Sequence, residues 1–158
     1  MVLSMRLLKL ADFVPEGSVM ADIGTDHGHL PISLVESGKC KHAVAMDVRP
    51  GPLSHAKEAV ARAGLSDQID LRLSDGLTAL KPGEVDACVI AGMGGALITK
   101  ILTEGKHMWD SVSHFILSPQ SEIGDVRRFL ADNGFMIVRE EMLMDMGKFY
   151  VIMDVVRG

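Results

Sequence analysis

The segment Met20–Gly28 reads Met-Ala-Asp-Ile-Gly-Thr-Asp-His-Gly, an apolar run that closes on an acid, a glycine and a polar turn. A pyrophosphate needs spaced glycines that let it lie on a helix N-terminus, and this turn does not offer them. A sulfonium carries no phosphate and favours nearby carboxylates such as Asp22. With Gly24, Thr25 and His27 around that acid, the turn reads as a site for S-adenosylmethionine, which implies methyl transfer.

Three further positions extend this reading. Asp47, with Val48 beside it, closes the next β-prone run, where a carboxylate can accept both hydrogen bonds of a ribose diol. That spacing also suits dinucleotide enzymes, so Asp47 points to a ribose more than to one cofactor, and a solvated turn acid is the alternative. Asp75, in Ser74-Asp75-Gly76, can accept from the exocyclic amine of an adenine over the sheet edge, or it can cap a helix N-terminus. Ala91-Gly92-Met93-Gly94-Gly95 would let a bound molecule approach the backbone closely, or would serve only a tight strand-to-helix turn. Met93 in this block reads as core or as contact.

Other polar residues carry weaker signals. Asp26, His27 and His29 do not make a metal set: zinc wants three or four ligands in a recognisable arrangement, and neither Cys40 nor Cys88 is near in sequence. No metal is therefore expected, and His27 reads as a pocket-rim residue. Arg49, Lys100, Lys106, Arg127 and Arg128 are candidates for phosphate contacts, although exposed basic residues are usually just solvated.

Such residues must be held at the tips of strands. Short β-prone runs at Val19–Ile23, Ala43–Asp47, Ile69–Leu73, Val85–Ile90 and His114–Leu117 alternate with helical stretches, which predicts an open, mostly parallel α/β sheet with each strand buried on both faces. Helices are expected over Leu30–Glu36, Pro52–Ala63, Ala96–Thr103 and Glu122–Asp132, several stopped by a following glycine. Phe135–Met144 and Lys148–Val156, separated by Asp145-Met146-Gly147, predict an antiparallel hairpin that closes the sheet. The N-terminal stretch Met1–Phe13, broken by Arg6, Lys9 and Asp12, predicts an amphipathic helix and not an export signal. Phe115, Phe129 and Phe149 read as core.

The bulk properties agree. A chain of 158 residues fits one domain, and its apolar stretches are too short to cross a bilayer, so no membrane partner is expected. Two cysteines, one inside a strand, suit a reducing cytoplasm. A formal charge of −5 argues against a surface that is basic throughout, so any RNA contact must be local or supplied elsewhere.

With these motifs together, the chain resembles the bacterial tRNA adenine-N1 methyltransferase family that modifies position 22 of tRNA. The resemblance runs through Leu3-Ser4-Met5-Arg6-Leu7, Ala21 to His27, Leu30-Pro31, Asp75-Gly76-Leu77 and Ile90 to Gly95. Gly51-Pro52 and Ala63-Gly64-Leu65-Ser66 add support, as does Pro119 followed by Gln120 where the family has asparagine. Asp47 stands where a glutamate is commoner, which keeps the carboxylate.

The resemblance implies a Rossmann-like class I methyltransferase domain over residues 1–158, with a doubly wound sheet and without the family's C-terminal helical extension. It implies S-adenosylmethionine as cofactor and tRNA as partner, held weakly if the extension is needed. It also supports Asp26 as the catalytic residue. Adenine N1 has a free lone pair, so alignment dominates, and a carboxylate on the exocyclic amine would stabilise the charge that moves onto the ring. An acid that only bonds its own turn is the alternative for Asp26. N1 lies on the pairing edge, so the target must be unpaired or expelled from its stack. Competing readings are a methyltransferase for another acceptor, a noncatalytic S-adenosylmethionine-binding module and a nicotinamide-binding dehydrogenase.

Overall fold

The computed structural model describes residues 4–158; Leu3 of the first motif, and Met1 to Leu3 of the expected N-terminal helix, lie outside them. Seven strands form one sheet: β1 (Val19–Ile23), β2 (His42–Asp47), β3 (Ile69–Leu73), β4 (Ala87–Met93), β5 (His114–Pro119), β6 (Phe135–Asp145) and β7 (Lys148–Arg157). Their order is β3-β2-β1-β4-β5-β7-β6, and β1 to β5 are parallel. The hairpin adds the antiparallel pairs β5–β7 and β6–β7. This is the doubly wound α/β arrangement expected from the alternating runs. The order reverses between β1 and β4, which opens a crevice beyond their carboxyl ends.

Helices cover both faces. One core layer packs Ile98, Leu102, Trp109, Val126 and Leu130 against Ile90, Leu117 and Met153. Ile98 and Leu102 come from α4 (Gly95–Glu104), and Val126 and Leu130 from α5 (Ile123–Asp132). The opposite layer sets α1 (Met5–Phe13), α2 (His29–Glu36) and α3 (Pro50–Arg62) against Met20, Ala45, Val89 and Ile116. Ser4 caps α1 by accepting from the Leu7 amide at 3.2 Å. Arg139 then ties α1 to the hairpin: it donates to Asp12 at 2.8 Å and lies 4.0 Å over the Phe13 ring. The hairpin turn needs positive φ at both central residues, and Met146 and Gly147 have φ of 53° and 77°.

Several expectations are corrected. β3 is not buried on both faces: it lies at the sheet edge with Leu73 56% exposed, because a terminal strand has only one neighbour. The fourth strand starts at Ala87 and runs on to Met93, so the glycine block begins inside it, with a register shift between Ala91 and Met93 and φ of 77° at Gly92. α3 begins at Pro50, earlier than Pro52, since proline suits a helix's first positions. Phe149 is 68% exposed near the hairpin tip, whereas Phe115 is buried.

Candidate functional site

Two cavities meet beyond the ends of β1 and β4. The first, of about 280 Å³, is lined by Asp22, Thr25, Asp26, Arg6 and Gln120. The second, of about 330 Å³, is lined by Asp47, Val48, Asp75, Gly76, Met93 and Leu97. Gly24, Arg49, Ala91 and Gly92 line both, so the two form one groove joined at the β1 turn and the β4 bulge. A side chain at Gly24 would crowd it. A Cβ on Gly24 would lie 2.8 Å from Met93 Cε, and the positive φ of Gly24 and of Gly92 suits glycine.

The acids occupy unlike environments. Asp22 is buried on β1, and its carboxyl is pushed up to about 7, first by burial and then by the nearby Asp47 carboxylate. The Thr25 hydroxyl lies close enough to oppose that shift, yet among the described residues it makes no hydrogen bond of standard geometry, and it is itself buried. Asp47, 3% exposed, organises the turn: Oδ1 accepts from the Arg49 amide at 3.0 Å and Oδ2 from the Asp26 amide at 3.3 Å. It is therefore neither solvated nor a passive strand end. Asp26 has φ of 57°, a region that aspartate tolerates, and its exposed carboxylate faces the first cavity. His27 Nε2 lies 3.8 Å from it, at the rim.

Every residue expected at the site lines this groove, but not in one cluster. Asp22, Thr25, Asp26 and His27 line the first cavity, while Asp47, Val48, Asp75, Gly76 and Met93 line the second, with Gly24 and Gly92 between them. Asp75 caps no helix, because the chain after β3 forms turns. There the Ser74 hydroxyl accepts from the Ala79 amide at 3.2 Å and donates to the Gly76 carbonyl at 2.8 Å.

The methyltransferase domain family matches this chain over residues 3–153. The chain belongs to that family. Among proteins similar to this methyltransferase domain is the tRNA (adenine(22)-N(1))-methyltransferase of Bacillus subtilis, 40% identical over 96% of the chain and 63% of the relative. The domain thus spans less than two thirds of that relative's length. A Streptococcus pneumoniae protein solved with S-adenosyl-L-methionine superposes with a TM-score of 0.97 at 43% identity, over 99% of this chain and 74% of its own. M. capricolum TrmK, solved with S-adenosyl-homocysteine, gives 0.91 at 31% identity, over 100% and 70%.

Sequence reasoning did not place several side chains of the methyltransferase domain at the site. Arg6, whose guanidinium lies 5.0 Å over the Tyr150 ring, lines the first cavity from α1, and Gln120 lines it from the end of β5. Leu97 and Ile101 of α4 wall the second cavity. Arg6 and Gln120 lay within the motifs that carried the resemblance, which was the available signal. Of the basic candidates, Arg127 pairs with Glu140, Arg128 with Asp125 and Arg49 with Asp47, while Lys106 lies over Trp109.

Proposed function

We propose that this chain transfers a methyl group from S-adenosylmethionine to N1 of an adenine in tRNA, at position 22. The observation that carries this reading is the two-part groove joined at Gly24 and Gly92, with a larger, more apolar cavity on one side and a smaller, polar one on the other. The relatives supply the acceptor class: one acts on adenine 22 of tRNA, and two solved neighbours hold the methyl donor or its product.

The residues fit the donor. Asp47 has lone pairs free for a ribose diol after accepting two amides, and Asp75 stands at the open edge where an adenine amine would lie. Val48, Gly76, Met93 and Leu97 supply the apolar and backbone walls of that cavity. Asp22 and the unpartnered Thr25 hydroxyl lie where the cationic end of the molecule would reach. When bound, the donor supplies an electrophilic methyl carbon on a sulfonium. Gly24 and Gly92 keep the line between donor and acceptor open, and such alignment can be worth about 7 to 11 kcal/mol.

Asp26 holds the acceptor. Its carboxylate, fixed by the amide that Asp47 binds, accepts from the exocyclic amine of the adenine and stabilises positive charge as it develops on the ring. It takes that amine's proton if the base is to leave neutral. His27 forms the rim. The chain works in the cytoplasm, where tRNA is; among the described residues no helix is long and apolar enough to cross a membrane.

The test is a methylation assay on unmodified tRNA with the modified base mapped. N1-methyladenine at position 22 is expected. Methylation of another atom or of a non-RNA acceptor would favour a different methyltransferase, and donor binding without transfer to any acceptor would favour a binding module.

A further inference from the structure

A third cavity adjoins the first, on the side away from the donor. It has a volume of about 350 Å³ and is lined by His27, His29, His55, Glu58, Ala59 and Arg62. His27 and His29 also line the first cavity, so the third depression adjoins it and extends along α3. The outer wall comes from α3, where His55, Glu58, Ala59 and Arg62 recur at helical spacing on one face.

Two imidazoles of this cavity are stacked and a third is tilted against them. The His27 ring lies 5.5 Å from His55 with planes inclined by 14°, and 5.5 Å from His29 with planes inclined by 30°. Gly28 makes this possible: it takes φ of 74°, and a Cβ there would sit 3.3 Å from the Cβ of Ala56, so the turn packs directly on α3. His55 and Arg62 are exposed, and neither belongs to an ion pair among the described residues. The core does not need them, nor does the donor groove.

We infer that this third cavity is a subsite for the RNA nucleotide next to the target adenine, whose base stacks on the His55–His27 pair while its phosphate meets Arg62. The inference rests on the reading of the first cavity as the adenine site. An adenine presented through its pairing edge has left its own stack, and that loss must be offset by contacts elsewhere on the strand. A flat aromatic face beside a free guanidinium is the surface that a single-stranded nucleotide fits, because every base has a π-face and every linkage a charge. Glu58 at the same wall disfavours a second phosphate there, which limits the subsite to one nucleotide.

Two readouts test this on the chain as it stands: anisotropy of a labelled single-stranded RNA hexamer with one central adenine, and steady-state methylation of a tRNA transcript. His55→Ala is expected to weaken hexamer binding by about ten-fold, the size of one lost base-on-aromatic stack. It is expected to raise KM for tRNA more than it lowers kcat, with S-adenosylmethionine affinity and Tm unmoved. His55→Phe, which keeps a π-face, is expected to restore most of the loss. Arg62→Ala is expected to flatten the slope of log affinity against log salt by about 0.7, one single-strand phosphate contact. Hexamer binding unchanged by His55→Ala, or equally weak in the alanine and phenylalanine variants, would overturn the subsite while leaving tRNA methylation intact. Wild-type protein that binds the hexamer with the expected His55 dependence but methylates no tRNA adenine would support the subsite and remove the activity assigned above.

Discussion

Replacing Asp22 by asparagine probes the most perturbed acid of the groove. In the folded chain its carboxyl is raised from 3.8 to about 7 by burial and by Asp47, so between those values the folded state binds a proton that the unfolded state has released. Stability therefore falls as pH rises through that window, and above pH 7 the ionised carboxylate carries the whole penalty. At 1.36 kcal/mol per decade the ceiling is about 4 kcal/mol, and relaxation plus water entry into the open cavity reduces it to about half. An asparagine side chain has the same shape and no charge. Asp22→Asn is thus expected to be more stable than the parent at pH 8, by about 2 kcal/mol or 4–8 °C in Tm for a chain of this size, with the difference shrinking to about 0.8 kcal/mol at pH 5. A cationic ligand in the first cavity reverses the balance by favouring the ionised form. Parent affinity for S-adenosylmethionine should accordingly rise with pH up to about 7, and the variant should lack that dependence. Thermal melts at the two pH values, with and without donor, decide the matter. A variant destabilised equally at pH 5 and pH 8 would refute the reasoning.

Other perturbations have expected outcomes. Asp26→Asn should lower methyl transfer by about 100-fold or more while donor affinity, measured by calorimetry, stays within two-fold, as when one aimed group at a charge-developing centre is removed. Gly24→Ala should push the Met93 side chain toward the second cavity, since its Cε lies 2.8 Å from the new Cβ, and should weaken donor binding in the same assay by about ten-fold with a stability cost of about 1–3 kcal/mol for the strained φ. Cys88, fully buried with its thiol pushed up to about 12, should resist iodoacetamide at pH 8 until denaturant unfolds the chain, as read by mass spectrometry.

The parallel sheet was legible because β1, β2 and β5 are apolar runs bounded by turn residues, a pattern that buried parallel strands require. Burial was harder to read: Ile69–Leu73 looks like its neighbours, and only the strand order makes it an edge. The end of β4 was misplaced because Gly92 announces a break, whereas the strand absorbs it as a bulge and continues pairing. Asp26, Asp47 and Asp75 were legible because strand tips of this topology converge. Their division between two cavities was not, since it depends on how the Gly24 turn and the Gly92 bulge approach across the sheet. Arg6 reaches the site from a helix distant in sequence, and Phe149 is exposed because the hairpin tip projects beyond its neighbours; neither follows from local pattern.

The division of the groove is tested most directly by a crystal structure of this chain with S-adenosyl-homocysteine. The adenosine is expected between Asp47 and Asp75, with the sulfur at the Gly24–Gly92 junction facing Asp26. A ligand whose adenosine lies beside Asp26, or whose sulfur points away from the first cavity, would contradict that division.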